Sequence, residues 1–384
     1  MTTPHRHYHR LAWAAVLLVS CVIVFGGFVR LSHAGLSCPD WPTCYGKATW
    51  PKQVAEIAVA NEAFPQRAVE THKAWREQFH RHIAALLGLL VLGLALMAAR
   101  LRRHGVLQVL VAASLVGVSI PLYMQQLYTA SAVLTVLGEL ILIRAAWRWD
   151  NSDFARVSAI MLAFIIFQAT LGLWTVTWLL KPVVVMAHLL GGMTMLSLLV
   201  WTAWKATPRR ELFAGNARQL RRLTVIGLLL VAVQIALGGW TTANYASLAC
   251  GTSFPTCSGQ WWPETDFAEG FVLWRGIGVD YEGGVLDGAA RNAIHLSHRL
   301  FALLVLGHLG VLIWHLLRTP GLAGWGGGLA LALTAQIALG ISNIVFGLPL
   351  AVATAHLAGA ALMLFLMISL IARLRAPEPP AAQP

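Results

Sequence analysis

The residues best suited to chemistry lie at the start of an apolar run, in the segment Glu77-Gln78-Phe79-His80-Arg81. A histidine that enters a membrane helix one turn after a carboxylate is costly to place there, so both side chains are functional candidates. The arrangement recurs, because His298-Arg299 opens a second apolar run. Each run is followed by another histidine in an apolar segment, His188 and His356 respectively. Four histidines in two similar halves predict two sites that each use a pair of imidazoles.

The composition places these histidines in a membrane protein. Hydrophobic residues make up 58% of the 384 positions, charged residues make up 11%, and the mean hydropathy is +0.67. Those values leave too little polar surface for a soluble globule of this length. The net charge of +12 could indicate nucleic-acid binding, but the Lys and Arg residues occur in short clusters between apolar runs. Such clusters are typical of membrane loops, so we expect membrane lipids and no nucleic acid as partners.

Ten apolar runs predict ten membrane-spanning helices. They lie at roughly 11–30, 80–99, 106–122, 127–147, 157–178, 183–204, 222–243, 293–316, 323–345 and 349–373. The spans 106–122 and 127–147 are the least regular, because the first is short and is followed by Pro121, and a re-entrant pair is an alternative for them. Lys and Arg are concentrated in segments on the side of the amino terminus, and the loops 31–79 and 244–292 carry fewer. This bias predicts both termini in the cytoplasm and both long loops outside.

An internal repeat divides the chain. A glycine pair precedes a cysteine, and a glutamine precedes a histidine, at the same intervals in both halves. These are Gly26-Gly27 before Cys38 with Gly238-Gly239 before Cys250, and Gln168 before His188 with Gln336 before His356. We therefore predict an all-α polytopic membrane protein made of two tandem pseudo-symmetric four-helix bundles. The amino-terminal half, 1–204, carries an inserted hydrophobic pair at about 106–147, and 205–384 forms the carboxy-terminal half.

Each four-helix unit can aim two imidazoles at one another near the outer ends of its helices. An antiparallel bundle then leaves a slot for a flat macrocycle whose iron takes both imidazole nitrogens, so haem is the expected ligand. Arg81 and Arg299 each follow one of these histidines and are well placed to pair with a haem propionate. Three other membrane histidines are interpreted as hydrogen-bonded packing residues: His82, His308 and His315. His295 stands where Glu77 stands in the other half, as either a ligand or a supporting residue.

Two close cysteine pairs lie in the long loops, Cys38 with Cys44 and Cys250 with Cys257. On the oxidising side of a membrane, such pairs form disulfides that pin short loops. A zinc site would need ligands from both loops, and a redox-active pair is the stronger alternative for Cys38 and Cys44. Cys21 lies within the first span and is interpreted as an inert packing residue.

Together these motifs resemble the haem A synthase family of cytochrome oxidase assembly, over nearly the whole chain. The resemblance rests on the segments Phe28 to Cys44, Glu77 to Arg81, Leu171 to Val176 with Ala187-His188-Leu189, His295 to Arg299, and Ala355-His356-Leu357. It implies oxidation of the C8 methyl of haem O to the formyl of haem A, with water as the source of the new oxygen. The inserted pair at 106–147 departs from the eight helices usual in this family.

The resemblance also implies roles for individual residues. His80 and His188 are expected to ligate the substrate haem, with Glu77 as the catalytic carboxylate that accepts protons or faces developing positive charge. His298 and His356 are expected to ligate a permanently bound haem b, which takes electrons away. Further expectations are a bacterial inner-membrane location, haem O synthase and a quinone or other electron acceptor as partners, and a possible homo-oligomer.

The alternative is a diheme electron-transfer protein of the cytochrome b type, which passes electrons from a quinol without chemistry on either haem. Four helix-borne histidines fit that function equally well. Glu77 and the asymmetry between the halves favour the synthase, because the second half has His295 in place of the carboxylate. A transporter built from repeats is disfavoured, since no broken-helix binding site is evident.

Overall fold

The computed structural model describes residues 4–150, 154–208, 213 and 217–374, and within these ranges the secondary structure is helical. The helices are α1 Pro4–Leu31, α2 Val54–Ala63, α3 Thr71–Ala99, α4 Gly105–Met124, α5 Tyr128–Arg148, α6 Ala155–Thr177, α7 Pro182–Ala206, α8 Ala217–Ala243, α9 Phe267–Gly270, α10 Gly288–Leu317, α11 Ala323–Val345 and α12 Leu350–Arg373. In the described part of the chain, ten of them are long and apolar enough to cross a membrane. The predicted all-α polytopic membrane fold is confirmed.

The first compact unit comprises Met1–Ala206 and Ile277–Asp280. Four of its helices close a ring in which α1 packs on α3, α3 on α6, α6 on α7, and α7 on α1. Since lipid tails are as apolar as leucine, close contact across small residues must hold such a ring together. Gly93 of α3 shows this, because a Cβ there would stand 3.2 Å from Cδ2 of Leu11 on α1.

The second compact unit comprises Thr207–Gly276 and Tyr281–Pro384. Its helices α8, α10, α11 and α12 close a ring in the same order, each packing on the next and α12 on α8. Gly227 of α8 is the close-contact residue here, with Leu309 of α10 and Met367 of α12 at 2.9 and 3.0 Å from the position of an added Cβ. Each unit is thus a four-helix bundle.

Helices α4 and α5 form a hairpin that lies outside the first ring, since α4 packs on α3 and α5 packs on α6 while α3 and α6 contact each other directly. The two helices have 20 and 21 residues, enough for about 30 Å each at 1.5 Å per residue. The structure therefore has two spans of full length here rather than a re-entrant pair. Pro121 does not end α4, because it falls in the last turn, where only one internal hydrogen bond is lost.

Helix α3 begins well before the apolar run that predicted it. The run suggested a start at His80, but the helix starts at Thr71, which places His80 in its third turn. The polar first turns are helical because they pack on the cysteine loop: Ala74 is fully buried in a cluster with Cys38, Cys44 and Tyr45. Burial raises the pKa of Tyr45, in that loop, to about 12.

Candidate functional site

The two candidate ligands of the first unit each lie against a glycine of a neighbouring helix. A Cβ added at Gly26 of α1 would stand 2.7 Å from Cε1 of His80 on α3. A Cβ added at Gly172 of α6 would stand 3.5 Å from Cε1 of His188 on α7. The glycines therefore let both rings sit deep in the bundle as a pair.

The second unit repeats this arrangement. Gly238 of α8 lies against His298 of α10, and Gly340 of α11 lies against His356 of α12, with added Cβ positions 3.1 and 3.2 Å from the respective Cε1 atoms. The glycine pairs that revealed the repeat in the sequence thus supply the surfaces on which His80 and His298 rest.

The four rings fit the ligands of a haem. Among the described residues, the Nδ1 atoms of His80, His188 and His356 are buried and have no hydrogen-bond partner. Buried polar atoms are nearly always satisfied in a finished structure, so rings that serve only packing would be expected to have partners. Two buried histidines on different helices of one bundle are the donor set of a haem with two axial histidines. In the same described ranges, no group of three or more His, Cys, Asp or Glu could hold a metal ion directly.

Glutamines support the histidine helices, a role that the sequence analysis missed. Gln336 Nε2 donates to the carbonyl of His356 at 2.8 Å, and Gln234 Nε2 donates to the carbonyl of His298 at 3.0 Å. The Gln234 amide nitrogen also lies 3.1 Å from Nδ1 of His298. The signal was present, because a lone glutamine within the apolar run of α8 needs a polar partner.

Glu77 is turned toward the cysteine loop and is held there by two donors. Its Oε1 accepts from Arg81 at 2.5 Å, and its Oε2 accepts from the backbone N–H of Cys38 at 2.9 Å. The residue is only 5% exposed. Because the carboxylate lies one turn before His80, it occupies the same face of α3 as the candidate ligand. The structure thus holds a buried carboxylate in a fixed position one turn before His80.

Arg81 clamps the cysteine loop onto α3. Its guanidinium donates to the carbonyls of Asp40, Thr43 and Cys38 as well as to Glu77. Asp40 in turn orders the loop, because its carboxylate accepts from the backbone N–H of Tyr45 at 2.6 Å. The predicted contact between Arg81 and a haem propionate stays a prediction.

Arg299 has the same role in the second unit. It donates to the carbonyls of Thr256 and Ser253 in the second cysteine loop, and its Nε donates to Nε2 of His295 at 3.2 Å. His295 is 4% exposed and occupies the place of Glu77. In both units, therefore, an arginine binds backbone carbonyls of a cysteine loop. The side chain that this arginine binds on its own helix differs: it is Glu77 in the first unit and His295 in the second.

Both cysteine pairs are disulfides, Cys38–Cys44 and Cys250–Cys257. Each loop also has a cis proline, at Trp41-Pro42 and Phe254-Pro255. Cys21 departs from the expectation of a packing residue, because it is exposed on α1. The other faces of α1 pack on α3 and α7, which leaves this position on the surface of the bundle.

Two of the histidines interpreted as packing residues hydrogen-bond to backbone carbonyls. His82 Nε2 lies 2.9 Å from the oxygen of Ala48, and His308 Nε2 lies 2.9 Å from the oxygen of Leu223. These contacts account for both rings within the protein. The ring of His315 has no such partner among the described contacts.

The fold and the histidine pairs define a multi-pass helical membrane protein of two similar bundles, each with a buried site suited to haem. Comparison with known proteins gives the family. Residues 9–368 match the family described as cytochrome oxidase assembly protein, and the chain belongs to that family.

The relatives agree over nearly the full length. The heme A synthase of Shewanella oneidensis is 36% identical over 350 residues, which cover 91% of each chain. The heme A synthase of Caulobacter vibrioides is 25% identical over 384 residues, covering 94% of each chain. That of Rhizorhabdus wittichii is 24% identical over 368 residues, covering 91% of this chain and 88% of the relative.

Proposed function

We propose that this protein is a haem A synthase, which oxidises haem O to haem A for cytochrome oxidase assembly. Its family and the full-length similarity to proteins named heme A synthase support this function. The observation that carries the proposal is the asymmetry between the two units. In the first unit a buried carboxylate, Glu77, is held by Arg81 one turn before His80, and in the second unit His295 is held by Arg299 at the same position before His298.

The first unit holds the substrate in this proposal. His80 and His188 bind the iron of haem O, and the bound iron supplies the oxidising chemistry that converts the C8 methyl to a formyl with oxygen from water. Each oxidation releases electrons and protons. Glu77 accepts protons or balances positive charge at the reacting edge. Arg81 and the Cys38 amide keep the carboxylate in one position, so little reorganisation is needed during the reaction.

In the second unit His298 and His356 would hold a resident haem b, which would supply one-electron chemistry between the substrate site and a quinone or another acceptor. Gln234 lies beside the His298 ring and donates to the His298 carbonyl, which supports this turn of α10. The cysteine loops face the outside and both termini face the cytoplasm. Haem O synthase supplies the substrate, and the active form can be a homo-oligomer.

The diheme electron carrier is not favoured. A protein that only transfers electrons has no use for a buried carboxylate beside one haem, and burying such a charge is costly. The relatives that match over nearly the whole chain are also named as synthases.

The function is tested with the purified protein in lipid nanodiscs, supplied with haem O and an oxidised quinone. Extracted pigments should contain haem A, together with haem B that was present from the start. Haem B with unchanged haem O would favour the electron carrier and contradict the proposal.

The ligand assignment has its own test. His298→Ala and His356→Ala should deplete haem B, because the loss of one axial imidazole loosens the haem. His308→Ala is the matched control on α10, since His308 bonds only a backbone carbonyl of α8. A full complement of low-spin haem B in both ligand variants would show that the assignment is wrong.

A further inference from the structure

Two cationic residues lie in the first unit shortly before its two histidines. Arg76 precedes His80 by one turn on the same face of α3, and Lys181 directly precedes α7, seven residues before His188. At 1.5 Å per residue these intervals are about 6 and about 10 Å along the helix axes. Both displacements point toward the end of the unit at which the Cys38–Cys44 loop lies, here called the loop end.

Lys181 is buried to a degree that lysines seldom reach. The residue is 1% exposed, and its Nζ is shielded from solvent 5.3 Å from the centroid of the Trp178 ring. Full burial is rare for lysine, and here it keeps the cationic group within the unit. The preceding residue, Leu180, packs with Leu36 beside the cysteine loop, so the lysine lies at the loop end. Burial also lowers the pKa of Lys181.

Arg76 lies between aromatic rings at the same end. Its guanidinium carbon is 5.1 Å from the ring centroid of Phe28 and 5.9 Å from that of Trp75. Its Nε is buried and has no hydrogen-bond partner among the described residues. The neighbouring carboxylate of Glu77 is already bound by Arg81 and Cys38. Arg76 therefore has donor capacity left for an anion in the site.

The second unit has the same backbone without these charges. In register with the histidines, Arg76 corresponds to Ile294 and Lys181 to Pro349. The turns before Lys181 and Pro349 match in detail. Leu180 donates to the carbonyl of Thr175 and Leu348 donates to that of Asn343, at 2.8 and 2.7 Å. Both leucines have left-handed backbone, with φ of 59° and 63°. Lys181 is thus not needed to build this turn.

We propose that Arg76 and Lys181 form a carboxylate-binding pair that anchors the propionates of the substrate haem at the loop end of the first site. This inference rests on the proposed function, because it takes haem O as the molecule held by His80 and His188. Haem carries its two carboxylates on one edge, and cations bind them with charge-assisted hydrogen bonds. An anchored edge also prevents rotation of the macrocycle between the imidazoles. Arg76 and Lys181 are therefore positioning residues that decide which peripheral methyl faces Glu77.

The test compares haem O with its propionate dimethyl ester. Wild-type protein in nanodiscs should bind haem O at least about tenfold more tightly than the ester, because the ester cannot accept a charge-assisted bond in the same way. Arg76→Gln and Lys181→Gln should each reduce this preference, and the double variant should bind both pigments equally. Lys181→Arg should restore part of it. Pigment analysis of the double variant should also show oxidation at more than one methyl.

Lys205→Gln is the matched control, because Lys205 also lies over a tryptophan, Trp201, on the same helix but at its opposite end. It should keep the full preference for haem O, and all variants should retain haem B in the second unit as a sign of intact folding. Variants that discriminate acid from ester as strongly as wild type would overturn the inference while the proposed function stands. A wild-type protein that binds no haem O would overturn both.

Discussion

Single residues define what each bundle can do, and glycine is as important as histidine among them. The candidate ligands rest directly on the backbone of a neighbouring helix, because Gly26, Gly172, Gly238 and Gly340 have no side chain in the way. A ring seated in this manner has little freedom to turn away from the bundle axis. The same frame is present in both units, so the difference between the sites must come from a few other side chains.

Glu77→Gln should stop conversion of haem O while leaving it bound. The amide keeps the size of the side chain but removes the negative charge and the proton acceptor, and such groups commonly contribute a factor of about 100 or more to a rate. Pigments from cells with the variant would be separated and compared with wild type. Glu56→Gln is the control, because that carboxylate pairs with Lys47 in the loop region. Normal yields of haem A in Glu77→Gln would reduce Glu77 to a structural role.

Gly26→Ala should weaken haem binding in the first unit alone. The new Cβ would stand 2.7 Å from Cε1 of His80, so the imidazole must shift, and overpacking of this kind costs about 1–3 kcal/mol. Haem O titrations should show about tenfold weaker binding with haem B content unchanged. Gly88→Ala serves as the control, since nothing lies within 4 Å of its added Cβ. Equal haem O affinity of the Gly26→Ala and Gly88→Ala variants would contradict a role of Gly26 in positioning His80.

At the scale of elements, the hairpin of α4 and α5 stands apart from the rings. Its helices hold each other through small and hydroxyl residues: Ser131 donates to the carbonyl of Ser119, and Gly138 lies against the carbonyl of Ala112. The ring of α1, α3, α6 and α7 closes without it. The hairpin therefore adds stability to the first unit but no part of the histidine site.

Gly138→Ala should destabilise the hairpin and spare the site. Its Cβ would stand 2.9 Å from a backbone oxygen, so the helices must separate slightly, at a cost of about 1–3 kcal/mol. A lower thermal midpoint with full haem content and normal conversion is expected. Gly117→Ala on α4, where the added Cβ meets open space, should match wild type. Loss of haem from the Gly138 variant would contradict a peripheral hairpin.

The elements were largely predictable from the sequence, because apolar runs of membrane length have few other structures available to them. The starts of α3 and α10 were not, since their first turns are polar and are stabilised by loops that the pattern does not show. Asp287 illustrates this, as its carboxylate accepts from Ala290 N–H to begin α10. The arginine clamps were missed for a related reason. Their acceptors are backbone carbonyls, which every residue has and no motif displays.

At the scale of the whole molecule, the two cysteine loops should face the same side of the membrane, opposite both termini. An impermeant maleimide added to spheroplasts should label Cys38, Cys44, Cys250 and Cys257 only after reduction, because both pairs are disulfides. The experiment needs a Cys21→Ser background, since that thiol is free. Labelling only in inverted vesicles, and not in spheroplasts, would contradict the proposed topology.

The turns before α7 and α12 have the same conformation, so each unit can serve as a control for the other. Leu180 and Leu348 adopt the same backbone conformation and make the same hydrogen bond, yet one turn is followed by a lysine and the other by a proline. Any property that depended on the helices alone would have to appear twice in one polypeptide. Exchanging side chains between corresponding positions of the two units would then separate the effect of the side chains from that of the helix bundle. Both measurements would be made on the same molecule in the same lipid.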